Sequence, residues 1–219
     1  MPERSLTAPV IGIIGGVGSG KSSLARQLVE KRLAQKHRIV ILDGDDAGHR
    51  VLAEPAVQRQ IRERFGNGVF HQDGTVIRRA LGQLVFGTDS VHRQARTELE
   101  SIVHPRIHHH LEQELAAARS NPATEAVLLD AAVLLEAGWR PLCDAVVFVD
   151  TPLEQRLERV SRNRGWTREQ LAARESSQLS LETKRMEADY VVDNSRGLDQ
   201  AAADLERVLQ QILAARTPA

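Results

Sequence analysis

The residues whose types and spacing could do chemistry stand out near the start of the chain. Residues 15–22 read GGVGSGKS and follow the apolar run 10–14. Glycines let the backbone turn its N–H groups around a polyphosphate, and a helix that begins there adds the positive end of its dipole. Lys21 is expected to reach the β- and γ-phosphates, and the Ser22 hydroxyl is expected to bind Mg²⁺. The alternative, a flexible glycine turn, is disfavoured by this context.

The pattern therefore predicts a P-loop, residues 15–22, that binds a nucleoside triphosphate. The residues assigned to the triphosphate are Gly16, Val17, Gly18, Ser19, Gly20, Lys21, Ser22 and Ser23.

Carboxylates follow two other apolar runs. Residues 43–46 read DGDD, and Asp45 could accept a proton from an attacking hydroxyl or help to hold magnesium. For Asp46, a role in a turn or as a helix N-cap is favoured. Asp130 closes another run and could hold magnesium, although capping explains an aspartate there equally well. Glu136 could face the same cleft or lie solvated on a helix.

Arginine is concentrated in residues 152–185, where apolar side chains are few. Phosphoryl transfer places charge on oxygens around phosphorus, and arginines brought over the site stabilise that charge when water is excluded. Arg159, Arg162 and Arg164 cannot all face one way on a helix, so one or two should point at phosphate. We expect Arg162 to be catalytic and the segment to form a mobile helical lid.

Four histidines lie close together at positions 104 and 108–110. His104 and His108 share a helical face, but no acidic or cysteine residue completes a zinc-binding spacing, so a metal site is disfavoured. His104 is the better candidate for a substrate contact because Pro105, which follows it, could open a helix.

The elements that must position these residues follow from the apolar pattern. Short aliphatic runs alternate with helical stretches, which is typical of a parallel sheet buried on both faces. Parallel strands need crossover connections, so the pattern predicts a three-layer α/β fold with a five-stranded parallel sheet and ligands at its carboxyl edge. The helix after the P-loop is expected to keep Leu24, Leu28 and Leu33 on the sheet. The predicted strands are residues 10–14, 38–42, 126–130, 145–150 and 190–192.

Composition suits a single enzyme domain. The chain has 219 residues, of which 42% are hydrophobic, and 29 basic side chains balance 29 acidic ones. It can therefore bury a large core, and no overall field draws it to nucleic acid or to an anionic membrane. The single cysteine, Cys143, excludes an internal disulfide and fits a reducing cytoplasm. No run is long and apolar enough for a membrane span.

The domain organisation predicted from these patterns has four parts. Residues 1–9 form a flexible tail without the apolar stretch of a signal peptide. Residues 10–219 form one domain, with a helical substrate-side insertion at residues 47–118, the first insertion, and the lid at residues 152–185. We expect a monomer or a weak homo-oligomer in the cytoplasm.

Several short motifs, taken in order from residue 10 to residue 208, resemble those of the dephospho-CoA kinase family. Each is modest, but their order and spacing together are specific. The motifs are residues 15–22 (GGVGSGKS), 43–45 (DGD), 47–49 (AGH), 65–66 (FG), 73–74 (DG), 78–81 (RRAL), 85–86 (VF), 99–105 (LESIVHP), 134–136 (LLE), Gln178, 184–185 (KR) and 188–194 (ADYVVDN).

The resemblance implies a P-loop kinase fold and transfer of the γ-phosphate of ATP to the ribose 3′-hydroxyl of dephospho-CoA, the last step of CoA synthesis. It implies that Asp45 is the base, that the first insertion binds the CoA side and that the lid covers ATP. Asn194 matches a position near the adenine pocket. The substrate-binding residues that we expect are Asp43, Arg79, His104 and Glu136.

Three features depart from the family pattern. Gly44 stands where the family has alanine between the paired aspartates, and residues 130–134 read DAAVL, without the family's proline. The loop that carries Glu136 is therefore expected to run differently. The linker at residues 30–37 is longer and more basic than in the family pattern.

Other functions were weighed against this one. The most similar alternative is another small-molecule kinase of the same architecture, which acts on a nucleoside monophosphate or a polyol. A GTP-dependent switch is disfavoured because the chain has no Asn-Lys-x-Asp motif. A binding protein without turnover is disfavoured by the presence of Lys21, Ser22 and Asp45.

Overall fold

A five-stranded parallel sheet forms the centre of the fold. The computed structural model describes residues 7–87 and 89–216, so residues 1–6 of the predicted tail lie outside the described part. The strands occur in the spatial order β2-β3-β1-β4-β5 and all pairings are parallel, which confirms the predicted sheet. Their bounds are β1 (Val10–Gly15), β2 (Arg38–Asp43), β3 (Thr124–Asp130), β4 (Ala145–Asp150) and β5 (Tyr190–Asp193).

The described part of the chain also contains nine α-helices and two short 3₁₀ turns. The helices are α1 (Lys21–Ala34), α2 (Gly44–Val51), α3 (Pro55–Phe65), α4 (Arg78–Val85), α5 (Ser90–Ser120), α6 (Leu153–Arg164), α7 (Arg168–Glu175), α8 (Leu181–Met186) and α9 (Leu198–Ala214); the turns are Asn67–Val69 and Arg140–Leu142.

Helices cover both faces of the sheet, which gives the predicted three layers. On one face, Leu24 of α1 and Leu205 of α9 pack in one cluster with Ile11 of β1. On the other face, Leu111 of α5 packs with Ile14. Successive strand residues point to opposite faces, so one strand supplies both cores.

The prediction for Leu33 is wrong. Leu24 and Leu28 are fully buried, whereas Leu33 is 65% exposed. Each residue advances a helix by about 100°, so a step of five residues turns the side chain about 140° away from Leu28.

The predicted first insertion, residues 47–118, contains α3, α4 and most of α2 and α5, which lie between β2 and β3. Pro105 lies inside α5 and does not open a helix, so that expectation is wrong. Its ring costs the helix one backbone hydrogen bond, but the helix continues because Ile107 and Leu111 of the following turn are buried in the core.

The lid consists of α6, α7 and α8. Its own apolar cluster is small: Val160 and Leu171 are buried against Val17 of the P-loop. The lid is therefore attached to the phosphate-binding element by few apolar contacts, and Leu181 of α8 packs against the cluster that contains Ile14.

Candidate active site

The P-loop joins the end of β1 to the start of α1, at the carboxyl edge of the central strand. The buried Lys21 is the first residue of α1, and its Nζ donates to the carbonyl oxygens of Gly15 (3.1 Å) and Gly16 (3.0 Å). Burial lowers the pKa of Lys21 to about 8, while Asp130 and Asp45 act in the opposite direction. A bound polyphosphate would supply the negative charge that favours the protonated lysine.

Two glycines of the P-loop have backbone conformations that side chains rarely adopt. The φ angles are 77° at Gly18 and 90° at Gly20. A Cβ at Gly18 would lie 2.8 Å from the carbonyl oxygen of Arg156, and one at Gly20 would lie 2.7 Å from Asn194 Nδ2. Gly20 also precedes α1 and has no side chain to cap it, so the first N–H groups of the helix can bind an anion.

Three carboxylates at the ends of β2 and β3 lie beside the P-loop. Asp43 and Asp130 are partners in the parallel register, and Asp45 lies in the first turn of α2. All three line one cleft together with Lys21. Asp45 is exposed in this cleft, so its carboxylate is able to accept a proton from a bound ligand.

Asp43 also caps α2. Its Oδ1 accepts hydrogen bonds from the backbone N–H groups of Asp45 (2.9 Å) and Asp46 (3.0 Å). The N-cap role expected for Asp46 therefore belongs to Asp43, because only a side chain just before the helix can reach these first amides. Asp46 instead pairs with Arg50 at 3.3 Å. The cap fixes the backbone that carries Asp45.

Ser22 and Asp130 provide adjacent oxygen atoms. Asp130 is only 5% exposed, and burial raises its pKa, while a hydrogen bond from the Ser22 hydroxyl and the charge of Lys21 lower it. Hydroxyl and carboxylate oxygens are the ligands that Mg²⁺ prefers, usually with several waters retained. This pair of side chains is therefore able to hold a hard divalent cation.

The arginines of the lid differ in whether they face the cleft, which has a volume of about 410 Å³. Arg159, Arg164 and Arg174 line it. The side chain of Arg162 is 72% exposed and lies 2.5 Å from Glu158, so the structure does not bring Arg162 to the P-loop.

The carbonyl oxygen of Ser19 in the P-loop accepts three side-chain hydrogen bonds. The donors are Asn194 Nδ2 (2.7 Å), Thr151 Oγ1 (2.9 Å) and Arg159 Nη1 (3.0 Å). Asn194 Oδ1 is buried and has no hydrogen-bond partner among the described residues. Asn194 therefore lies directly against the P-loop, and its side-chain oxygen remains available to accept a hydrogen bond.

Glu136 is bound by the lid. Its Oε1 lies 2.9 Å from Lys184 Nζ and accepts a hydrogen bond from the Leu179 N–H at 2.9 Å. Lys184 is 1% exposed and also donates to the carbonyl oxygen of Ala132 (2.7 Å) and to Gln178 Oε1 (2.9 Å). This network joins the lid to the loop after β3.

The sequence analysis missed the roles of Lys184 and Arg174. Lys184 had only one signal, its place in the KR motif, and a buried lysine is unusual enough that no pattern of apolar residues predicts it. Arg174 was one of many arginines in a charged segment, and its place in the cleft depends on how the lid packs.

Arg79 and His104 belong to the first insertion, and neither is among the described residues that line the cleft. Arg79 is exposed in the first turn of α4. His104 is half-buried in α5, and its ring centroid lies 5.9 Å from that of Trp139. Burial lowers the pKa of His104, while Glu100 and Glu136 act to raise it.

The geometry of the cleft narrows the class of protein. A P-loop opens the first helix beside the central parallel strand, carboxylates follow the carboxyl ends of β2 and β3, and arginines of the lid line the same cleft. Such an arrangement is that of a P-loop kinase, in which a phosphate-binding loop and carboxylates share one cleft. No helix within residues 7–87 and 89–216 has the length and apolar character needed to cross a membrane.

Within that class the chain belongs to the dephospho-CoA kinase family, whose family model matches residues 9–200. The dephospho-CoA kinase of Latilactobacillus sakei is 36% identical over 203 residues, which cover 92% of this chain and 95% of the relative. The dephospho-CoA kinase of Deinococcus radiodurans is 37% identical over 202 residues, 92% of this chain and 91% of the relative.

Solved structures share the fold. The structure described as TT1252 from Thermus thermophilus has a TM-score of 0.74 at 32% identity, covering 97% of this chain and 100% of its own. The dephospho-CoA kinase from Campylobacter jejuni has a TM-score of 0.56 at 19% identity, covering 94% of this chain and 97% of its own.

Proposed function

We propose that this chain transfers the γ-phosphate of ATP to the ribose 3′-hydroxyl of dephospho-CoA and releases CoA and ADP. Membership of the family supports this activity. The structural observation that supports it best is that Lys21 and Asp45 line one cleft together with arginines of the lid.

In the proposed reaction, the 3′-oxygen forms a bond to the γ-phosphorus while the bond from that phosphorus to the bridging oxygen of ADP breaks. Asp45 accepts the proton that the hydroxyl loses. Lys21 exchanges the carbonyl oxygens of Gly15 and Gly16 for phosphate oxygens. The backbone N–H groups of the P-loop bind the other phosphate oxygens.

The catalytic role expected for Arg162 is better supported for Arg159 and Arg164. Arg159 and Arg164 line the cleft, whereas Arg162 is engaged with Glu158 on the exposed side of α6. We assign to Arg159 and Arg164 the stabilisation of charge on the transferred phosphoryl group.

We propose that Ser22 and Asp130 hold Mg²⁺, because these two side chains present adjacent oxygens beside Lys21. When bound, the ion neutralises charge on the phosphate oxygens. Asn194 is assigned to the adenine side of ATP, where its buried and unpaired Oδ1 could accept a hydrogen bond.

The acceptor is assigned to the side of the cleft formed by α2. Asp43 lines that side, and Arg79 and His104 of the first insertion would contact more distant parts of dephospho-CoA. Glu136 would contribute to substrate binding from the loop after β3, which its ion pair with Lys184 joins to the lid.

We further propose a monomer or a weak homo-oligomer in the cytoplasm, formed by one domain that binds neither nucleic acid nor membrane; the balanced charge of the chain supports this. The described end of the predicted tail belongs to that domain, because the carbonyl oxygens of Ala8 and Pro9 accept hydrogen bonds from Arg119 (3.1 Å) and from the Val127 N–H (2.8 Å).

A panel of acceptors tests the proposed activity. The purified protein is incubated with ATP and MgCl₂ and with dephospho-CoA, a nucleoside monophosphate or a polyol, and products are followed by mass spectrometry. We expect CoA and ADP in equal amounts, and loss of product when EDTA removes the divalent ion. A phosphorylated nucleotide or polyol without CoA would contradict the proposed acceptor.

A further inference from the structure

One contact joins the lid to the first insertion through an arginine and an aromatic ring. Cζ of Arg174 in α7 lies 3.5 Å from the ring centre of Phe86, the residue that follows α4. The Phe86 residue is 40% exposed. Loss of its ring would therefore leave the core of the fold intact, while the contact with the lid would be lost.

Arg174 has no carboxylate partner in the described part of the chain, although it is half-buried. Burial lowers the pKa of Arg174, Arg164 and Arg96 lower it further, and Asp45 raises it. A half-buried cation among other cations favours an anionic ligand. Four other lid arginines are instead paired with carboxylates: Arg156, Arg162, Arg168 and Arg185.

Stacking on a ring fixes an arginine without using its hydrogen bonds. The ring contacts the face of the guanidinium, and the five N–H donors lie in the guanidinium plane, where they stay available to an anion. The backbone that carries the ring is held in place. The Phe86 N–H donates to the Gly82 carbonyl at 2.9 Å, and at Gly87 a Cβ would lie 2.4 Å from the His92 ring, so the backbone there is closely packed.

We propose that Phe86 is a positioning residue, whose ring orients Arg174 so that its N–H groups face the cleft on the side of Asp45. The inference rests on the proposed phosphoryl transfer. Because Phe86 belongs to the first insertion and Arg174 belongs to the lid, this anion site is complete only when both parts are together. The acceptor-binding part of the molecule thereby controls a charge that acts on the donor.

Substitution of the ring tests the proposal. Phe86→Leu keeps an apolar side chain and removes the aromatic face, so kcat for CoA formation should fall roughly 3- to 30-fold, the range that a cation–π contact supports. The KM for dephospho-CoA should change less than kcat. Phe86→Trp, which keeps an aromatic face, should restore most of the rate. The matched control is Phe65→Leu, since the guanidinium of Arg64 lies 5.2 Å from the Phe65 ring on α3, and it should leave kcat unchanged.

A double-mutant cycle separates positioning from other effects. In an Arg174→Ala background, Phe86→Leu should cause little further loss. An equal loss in both backgrounds, or wild-type kcat for Phe86→Leu, would overturn the proposal.

Hydrogen exchange gives a readout that needs no acceptor. Amides of α7 should exchange faster in Phe86→Leu and in Arg174→Ala than in the wild type, without further increase in the double variant. Unchanged exchange would overturn the role of Phe86. A wild type that makes no CoA would contradict the proposed function alone, because the exchange experiment would still decide whether the ring holds the lid.

Discussion

At the scale of single residues, the cleft holds charges that the folded protein does not fully compensate. Lys21 is buried, and within residues 7–87 and 89–216 its Nζ donates only to carbonyl oxygens of its own loop; Asp130 is buried beside it. Burial lowers the pKa of Lys21 and raises the pKa of Asp130, so it favours the neutral form of both side chains. Such uncompensated charge is what a site for a charged substrate and a metal ion requires before they bind.

The Lys21 pKa predicts a pH dependence of stability. The folded pKa of about 8 lies below the ordinary lysine pKa of 10.5. Between these values the unfolded chain binds more protons, so the ligand-free wild type gains stability as pH rises through this window. Urea unfolding of the wild type and Lys21→Met should therefore show a free-energy difference that moves in favour of the wild type from pH 8 to pH 10. Parallel pH profiles would contradict this assignment of the pKa.

The two neighbouring lid arginines should differ in function. Arg164→Ala removes a guanidinium that lines the cleft and should lower kcat for CoA formation at least about tenfold. Arg162→Ala removes one that is engaged with Glu158 and should stay close to the wild-type rate, which makes it the matched control. If Arg162→Ala lost more activity than Arg164→Ala, the original expectation for Arg162 would be restored.

At the scale of elements, side chains from neighbouring elements hold the turn of the P-loop in its conformation. The Ser19 carbonyl accepts hydrogen bonds from three side chains of β4, α6 and β5 or their ends, so the loop cannot relax without disturbing several elements. The lid is fixed in a comparable way, through the buried Lys184 and Glu136 pair. Polar contacts between elements therefore set the geometry of the cleft.

Replacing a glycine of the P-loop should show this packing. Gly20→Ala introduces a Cβ 2.7 Å from Asn194 Nδ2, whereas Gly138→Ala introduces one with no atom within 4 Å. Both positions have positive φ, so both variants carry backbone strain of roughly 1 kcal/mol. Gly20→Ala should lose more unfolding free energy in urea and should lose ATP affinity by calorimetry. Equal effects at the two positions would contradict the packing argument.

The Lys184 network predicts a large effect on stability. Lys184→Met leaves the Glu136 carboxylate without its cation and should cost about 3 kcal/mol of unfolding free energy. Lys31→Met is the control, because the Lys31 side chain is 45% exposed in its pair with Glu206 and should cost less than about 1 kcal/mol. Adding Glu136→Gln to Lys184→Met should recover part of the loss. Equal costs for the two lysines would show that the buried network adds no stability.

At the scale of the whole molecule, the sheet and the P-loop could be predicted because their signals are local. An apolar run of five or six residues beside a glycine-rich motif needs no tertiary information to be recognised. It was harder to predict which side chains of a helix face the sheet or the cleft. Leu33 was assigned to the sheet from spacing alone, and Arg162 was chosen from three arginines that the sequence could not tell apart.

The contacts of the lid with the rest of the molecule could not be predicted at all. Phe86 and Arg174 come from separate segments, and their stacking depends on how the lid packs over the cleft. Lys184 and Glu136 meet for the same reason. Side-chain pairs of this kind depend on tertiary packing, which periodicity along the chain does not encode.

The rate of CoA formation by Asp45→Asn is the most direct test of the central claim. It is measured at saturating ATP and dephospho-CoA beside the wild type and Asp46→Asn, whose neighbouring carboxylate pairs with Arg50. We expect a loss of about a hundredfold or more for Asp45→Asn, the contribution of a general base, with ATP affinity retained. Asp46→Asn should keep a rate close to that of the wild type. A near-wild-type rate for Asp45→Asn would contradict both the base and the cleft that it defines.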